Sequence, residues 1–310
     1  AAHTARHRSL STVCVMSSSP VTPLRARGLA TLSRLSGAET GLLLGAAALL
    51  ALALFGPALP ASAHQHDFAD QRTLWGIPCA LDVLSNLAFA LAGAWGWWVL
   101  RRVPPAALDV TSRALAALFF GGLLCTAAGS ALYHWQPQDA GLLWDRLGMV
   151  LPFAGLLGLA AASRVSARAG VAAAGAVLLA GPLAVWAWAH TGNLLPWAVV
   201  QLGGLLVVLA LACLPRRVGG LALHLGVVVV LYTLAKLLEA ADHSVFEATG
   251  GWVSGHSLKH VLAAGAAWPV MAALGSLVAL RHSDAAVMPR VMPSGQNGAH
   301  AVGVARRSGA

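Results

Sequence analysis

The sequence is dominated by uncharged apolar stretches that are each about as long as a lipid bilayer is thick. Of its 310 residues, 58% are hydrophobic and only 10% are Asp, Glu, Lys or Arg, with a mean hydropathy of +0.72. A soluble globular domain carries about a quarter charged residues. The stretches are continuous rather than alternating in polarity, which excludes a transmembrane β-barrel. The sequence therefore predicts an all-α integral membrane protein.

Seven of these stretches follow His64, and they predict a bundle of seven transmembrane helices. Their approximate limits, numbered here as predicted helices one to seven, are 83–100, 114–133, 142–162, 169–189, 194–214, 219–240 and 257–280. Residues 64–281 form the predicted membrane domain. Residues 282–310 are rich in Gly, Ser, Pro and Arg, and we expect them to be a disordered cytoplasmic tail.

An eighth apolar stretch, 41–60, lies in the N-terminal extension formed by residues 1–63. Arginines precede it, and the small residues Ala61-Ser62-Ala63 follow it. A basic region, an apolar region and a small-residue end are typical of a secretory signal peptide. We expect a cleaved signal peptide, with an uncleaved signal anchor as the alternative.

Cations are distributed unevenly between the predicted loops. Eleven arginines lie in the tail and in the loops on one side, whereas Arg72 is the one loop cation on the other side. By the positive-inside rule, the N-terminus of the seven-helix domain is outside and the C-terminus is cytoplasmic. The net charge of +9 then reflects membrane topology, and we predict no nucleic-acid partner.

Ionisable side chains are costly inside a membrane, and several of them cluster at the predicted outer ends of three helices. His134 lies four residues after Ser130 at the end of helix two, and Asp145 lies at the start of helix three. His256 and His260 open helix seven at positions i and i+4. That spacing lets two imidazoles bind one metal ion.

Three imidazoles with one open coordination position describe a catalytic zinc site. The match to zinc proteases is partial, because Ser257 occupies the position of their general-base Glu. The alternative is a hydrogen-bonded polar cluster that holds the helices together. The cysteine spacing indicates neither a disulfide framework nor a zinc-thiolate site. Lys236 and Glu239, three residues apart in helix six, predict an ion pair that neutralises itself.

Four motifs together resemble the alkaline ceramidase family. They are Ser85-Asn86 in helix one, Ser130 with His134 in helix two, Asp145 within W-D-R, and the H-x-x-x-H formed by His256 and His260. That family belongs to a superfamily of seven-helix membrane hydrolases that also includes the progestin/adiponectin-type receptors. The resemblance covers about residues 65–280.

The resemblance implies that His134, His256 and His260 bind Zn²⁺, that Asp145 orients and deprotonates the attacking water, and that Ser130 hydrogen-bonds within the site. Zinc activates water at neutral pH and polarises a carbonyl. The implied function is a zinc-dependent intramembrane amidase. It would hydrolyse the N-acyl bond of ceramide, or of a related N-acyl lipid, to a fatty acid and a sphingoid-type amine. The alternative function is a seven-helix lipid receptor with a structural zinc site.

Two features depart from the family pattern. Eukaryotic members carry a calcium site built from acidic residues before helix one, whereas the comparable segment here has only Asp70 and Asp82. Calcium is therefore left in doubt. The signal-peptide pattern and the Arg/Ala-rich composition indicate a bacterial member, which we expect in the inner membrane with its active site facing outward. The oligomeric state is not indicated by the sequence.

Overall fold

A computed structural model describes residues 35–287, with side chains to residue 279. Its regular structure is helical, and between residues 35 and 287 there is no β-strand. The helices are α1 (Gly37–Phe55), α2 (Ala80–Ser85), α3 (Leu87–Arg102), α4 (Val110–Trp135), α5 (Asp139–Arg164), α6 (Ala167–Thr191), α7 (Leu195–Ala198), α8 (Gly204–Ala212), α9 (Leu225–Ala240), α10 (Asp242–Ala248), α11 (Gly255–Gly265) and α12 (Trp268–Val287). A π-helical turn, Val199–Gly203, joins α7 to α8.

Seven helical segments in the described residues are long and apolar enough to cross a membrane. Six of them correspond to predicted helices one to five and seven, and the remaining one is α1, which covers most of the 41–60 stretch. The all-α membrane class is thus confirmed, although the set of seven differs from the predicted set. The orientation of the bundle and the cleavage of the N-terminal segment stay predictions.

Predicted helix six is shorter than expected. It begins at Leu225, because the chain turns at Gly219, where φ is +74°. The resulting helix α9 has 16 residues and is about 24 Å long, less than the ~30 Å hydrocarbon core of a bilayer. At the other end of the domain, α12 continues to Val287, beyond the predicted boundary at 281. The predicted disordered tail, 282–310, is therefore helical over 282–287. Residues 1–34 and 288–310 lie outside the described part.

The α4–α5 pair forms the most extensive helix contact of the bundle. Glycines allow the two backbones to approach closely: a Cβ on Gly122 would lie 2.4 Å from the backbone nitrogen of Pro152. The Thr126 hydroxyl donates across the interface to the carbonyl oxygen of Gly148 at 3.1 Å. Small residues and hydroxyls at helix contacts are the usual means of packing in membranes. This rigid pair positions the end of α4 against the start of α5.

Helix α1 is tied to the bundle at its first turn. Ser36 caps the helix in a capping box with Glu39, and Glu39 is only 5% exposed. Its carboxylate pairs with Arg168 at 2.5 Å and accepts a hydrogen bond from Ser166 at 2.6 Å, both at the start of α6. The first turns of α1 and α6 therefore lie side by side.

Candidate metal centre

Three histidines converge where α4 ends and α11 begins, a region called the histidine end below. His134 lies in the last turn of α4, and His256 and His260 lie in the first two turns of α11. All three are buried, at 1%, 7% and 3% exposure. One nitrogen from each lies within 4.8 Å of the others. The structure therefore brings together the three histidines that the sequence singled out, and this group can hold a metal ion.

The start of α11 is fixed by two polar side chains and a glycine. The Ser254 hydroxyl accepts a hydrogen bond from the backbone N–H of Ser257 and so caps the helix. The Asp242 carboxylate accepts from the backbone N–H of His256 at 2.7 Å. A Cβ on Gly255 would lie 2.3 Å from the carbonyl oxygen of Leu238, so a side chain there would separate α11 from α9. These contacts set the position of both α11 imidazoles.

One pair of imidazole nitrogens has a separation close to that of two zinc ligands. Nε2 of His134 lies 3.1 Å from Nε2 of His256. Two nitrogens bound tetrahedrally to one zinc at 2.0–2.1 Å lie about 3.3 Å apart, so the observed separation is close to that of two ligands. Neutral imidazole nitrogens are also the donor type that zinc prefers among protein ligands.

The tautomer of His260 follows from a hydrogen-bond chain at the end of α2. The Ser85 hydroxyl donates to the carbonyl oxygen of Asp82 at 3.0 Å, and its oxygen lies 2.7 Å from Nδ1 of His260. Because the hydroxyl proton is engaged by Asp82, the oxygen accepts from Nδ1–H. Nε2 of His260 is then unprotonated and free to bind a metal.

Asp82 organises the region behind the imidazoles. This carboxylate is fully buried, and one of its oxygens accepts hydrogen bonds from the hydroxyls of Ser254 at 2.9 Å and Ser257 at 2.6 Å. Ser257 stands where zinc proteases have a catalytic Glu, and here it fastens α11 to α2. Packing of α11 against α2 therefore explains the serine at this position of the motif.

Asp145 and Ser130 meet on the neighbouring face of the α4–α5 pair. The Asp145 carboxyl lies close to the Ser130 hydroxyl. Their contact depends on Gly129, where a Cβ would lie 2.6 Å from the carbonyl oxygen of Trp144. Ser130 is one helical turn from His134, which places the pair beside the imidazoles. Within the described residues, the group close enough to share a metal contains the three histidines and not Asp145.

Aromatic rings cover the histidines, and sequence reasoning did not find the main one. Phe68, from the segment between α1 and α2, lies with its ring centroid 4.6 Å from those of both His134 and His256. It is 5% exposed and packs edge-on against Tyr133. The apolar residues of this segment do not repeat with the spacing of a helix or a strand, so the sequence did not place Phe68 over the site. Its position arises from tertiary packing.

The remaining polar predictions have separate outcomes. The predicted Lys236–Glu239 ion pair is confirmed, and Lys259 joins it at 2.6 Å. Cys79 is buried just before α2, and burial raises the pKa of its thiol. Of the two acidic residues considered for calcium, Asp70 pairs with Arg72. Asp82 accepts from the two serines through one carboxylate oxygen, and its other oxygen, Oδ2, is buried without a hydrogen-bond partner.

The chain matches no protein-family model, and no curated protein sequence matches it. The likeness to alkaline ceramidases therefore rests on the quoted motifs and stays a prediction. What the structure establishes is a multi-pass helical membrane protein with a buried group of three histidines able to hold a metal ion.

Proposed function

We propose that the protein is a zinc-dependent membrane amidase that hydrolyses the N-acyl bond of ceramide or a related N-acyl lipid. The observation that carries the proposal is the convergence of three buried imidazoles from α4 and α11. His134, His256 and His260 would each bind zinc through one nitrogen. The ion, when bound, supplies Lewis-acid polarisation of the amide carbonyl and an activated water.

Asp145 and Ser130 supply the proton chemistry in this proposal. A carboxylate oxygen of Asp145 accepts a proton from the attacking water as the new C–O bond forms. The same carboxyl then gives the proton to the amine nitrogen as the C–N bond breaks. Ser130 lies next to Asp145 and would position its carboxyl by donating a hydrogen bond to it. The products are a fatty acid and a free amine.

The location of the histidines supports a lipid amide as substrate. His134 lies in the last turn of a segment long enough to span the membrane, and His256 lies in the first turn of another. An amide beside a lipid headgroup would reach this level while its hydrocarbon chains stay in the bilayer. Phe68 covers the imidazoles and would exclude bulk water from the reacting carbonyl.

The proposal is tested by incubating purified protein with a short-chain ceramide and measuring released fatty acid together with bound zinc. We expect the wild-type protein to release fatty acid and the His256→Ala variant to lose both zinc and turnover. His190→Ala is the matched control, because His190 is exposed and its Nδ1 contacts only the carbonyl oxygen of Trp186 in its own helix. Full activity in a metal-free His256→Ala protein would overturn the mechanism. Saturable lipid binding without fatty acid release would favour the receptor alternative.

A further inference from the structure

The three histidines are closed to solvent in the structure. All of them are buried, so a metal ion or a substrate reaches them only if a covering group moves. Among the described residues, three aromatic rings contact the imidazoles from outside the group: Phe89 of α3, Tyr133 of α4 and Phe68. Of these three, only Phe68 comes from a segment that is not helical. Phe68 is therefore the covering group that can move without displacing a helix.

Residues 61–68, called the strap below, carry Phe68 and are fixed at both ends. Before the strap, the backbone N–H of Leu194 donates to the carbonyl oxygen of Leu59 at 2.7 Å. After it, the backbone N–H of Ala69 donates to the Asp242 carboxylate at 3.0 Å. Between these points, the backbone-to-backbone hydrogen bonds of the strap are local, and none reaches a helix. The strap can therefore move between two fixed ends without breaking such a bond.

Side chains of α4 and α5 hold the middle of the strap. Oδ1 of Asp139 accepts a hydrogen bond from Nε2 of Gln65 at 2.8 Å and lies 3.1 Å from Nε2 of His66. The Tyr133 hydroxyl donates to the carbonyl oxygen of Gln65 at 3.0 Å and lies 2.9 Å from Nδ1 of His66. The side chain of Asp139 is 70% exposed and that of His66 is 30% exposed. Because water competes for exposed groups, these contacts can break and form again.

A crevice of about 400 Å³ lies between the strap and two helices. Its lining includes Ala61 and Gln65 of the strap, the first residues of α5 and the last residues of α6. On this side the strap borders open space instead of a packed core. Packed cores resist displacement because their side chains interdigitate. The strap can therefore shift at Ala61 and Gln65 without forcing apart the packed side chains of α5 and α6.

We propose that the strap is a lid that opens and closes over the metal centre, with Asp139 as its latch. In the closed state, which the structure shows, Phe68 covers His134 and His256. Loss of the Asp139 contacts lets the strap lift and withdraw Phe68, which exposes the two imidazoles to water, metal ions and ligands. The inference concerns access to the histidines. It depends neither on the identity of the bound ion nor on the proposed amidase activity.

The test is the rate at which diethylpyrocarbonate, a reagent that modifies neutral imidazole rings, labels His134 and His256. The full-length protein is kept in detergent with a chelator so that no metal protects the rings, and mass spectrometry assigns the labelled residues. We expect slow labelling in the wild-type protein. In Asp139→Ala labelling should be about 2–10-fold faster, since losing an exposed hydrogen bond raises the open fraction by about that factor.

Asp67→Ala is the matched control, because it makes the same chemical change within the strap. The Asp67 carboxylate contacts Gln71 and His64 of its own segment and no helix. We therefore expect this variant to be labelled at the wild-type rate. Equal rates in Asp139→Ala, Asp67→Ala and the wild-type protein would overturn the assignment of Asp139 as the latch.

A cross-link between the strap and α5 provides the opposite test, which also applies if Asp139→Ala fails to fold. The double variant Gln65→Cys/Asp139→Cys is joined with a short bis-thiosulfonate reagent, since the two wild-type side chains are in contact. The cross-linked protein should be labelled at His134 and His256 at least about tenfold more slowly than the same protein after reduction. Wild-type protein treated with the same reagent is the control for the native cysteines.

Two outcomes would overturn the lid itself. If the cross-linked and reduced proteins are labelled equally fast, the histidines are reached between the helices and not under the strap. If His134 and His256 are labelled in none of the variants, the strap does not open. Zinc content and fatty acid release are not part of the readout, so failure of this inference and failure of the proposed function are distinguishable.

Discussion

The hydroxyl oxygen of Ser85 lies 2.7 Å from Nδ1 of His260, although the two residues are 175 positions apart in the chain. Because the Ser85 proton is donated to the carbonyl oxygen of Asp82, this contact holds His260 with Nε2 unprotonated. Partners of this kind orient metal ligands, and their loss commonly costs 10–100-fold in metal affinity.

We therefore predict that Ser85→Ala lowers zinc affinity by about 10–100-fold while the protein still folds. The measurement is competition for zinc with a chromogenic chelator. Ser276→Ala is the control, because the Ser276 hydroxyl donates only to the carbonyl oxygen of Ala273 in its own helix. Unchanged zinc affinity in Ser85→Ala would contradict the claim that Ser85 orients a metal ligand.

Phe68 is predicted to slow the exchange of metal and water at the histidines. Phe68→Ala should lower the free energy of unfolding by about 3–5 kcal/mol, the usual loss for a buried Phe, and should speed zinc release to a chelator. Trp75→Ala is a control from the same segment, since Trp75 is 83% exposed. If zinc leaves both variants at the wild-type rate, Phe68 does not cover the site.

Gly129 is predicted to be required for the contact between Ser130 and Asp145. In Gly129→Ala, the added Cβ meets the carbonyl oxygen of Trp144 and moves α5 away from α4. A displacement of about 1 Å at a reacting group can cost 100-fold in rate, so amide hydrolysis should fall by about 10–100-fold. Gly175→Ala makes the same chemical change where a Cβ has nothing within 4 Å. Equal turnover in the two variants would contradict a catalytic role for this contact.

Glu39 is predicted to hold α1 on the bundle. Its side chain is 6% exposed while that of its partner Arg168 is 48% exposed, so solvent screening reduces the strength of the pair. Glu39→Ala should lower the free energy of unfolding, measured by chemical denaturation in detergent micelles. Glu247→Ala, at an exposed position of α10, should change stability by less than about 0.5 kcal/mol. Equal stability of both variants would show that the pair contributes nothing.

The sequence predicted the features that depend on local pattern. The lengths of the apolar stretches predicted most of the spanning helices, and the i, i+4 spacing of His256 and His260 placed both rings on one face of α11. The same reasoning placed His134 at the same end of the bundle. Each of these follows from helical geometry and from the cost of burying an imidazole in an apolar helix.

Other features depend on contacts between distant segments, which a single sequence does not specify. Phe68 lies in a segment whose apolar residues show no regular spacing, so its packing over His134 was not predictable. The ion pair between Glu39 and Arg168 also joins distant segments. The sequence alone therefore does not distinguish an α1 packed on the bundle from a signal peptide. Helix α9 is shorter than predicted because the chain turns at Gly219. The run of apolar residues around Gly219 gives no sign of this turn.

The central claim is that His134, His256 and His260 bind one zinc ion, and X-ray absorption at the zinc edge of the purified protein tests it most directly. The account predicts about one zinc per chain with three nitrogen ligands at about 2.0–2.1 Å and no sulfur ligand. In His256→Ala the stoichiometric signal should be lost, and in His190→Ala it should be unchanged. A wild-type protein that binds no stoichiometric zinc, or that binds it through sulfur, would contradict the account.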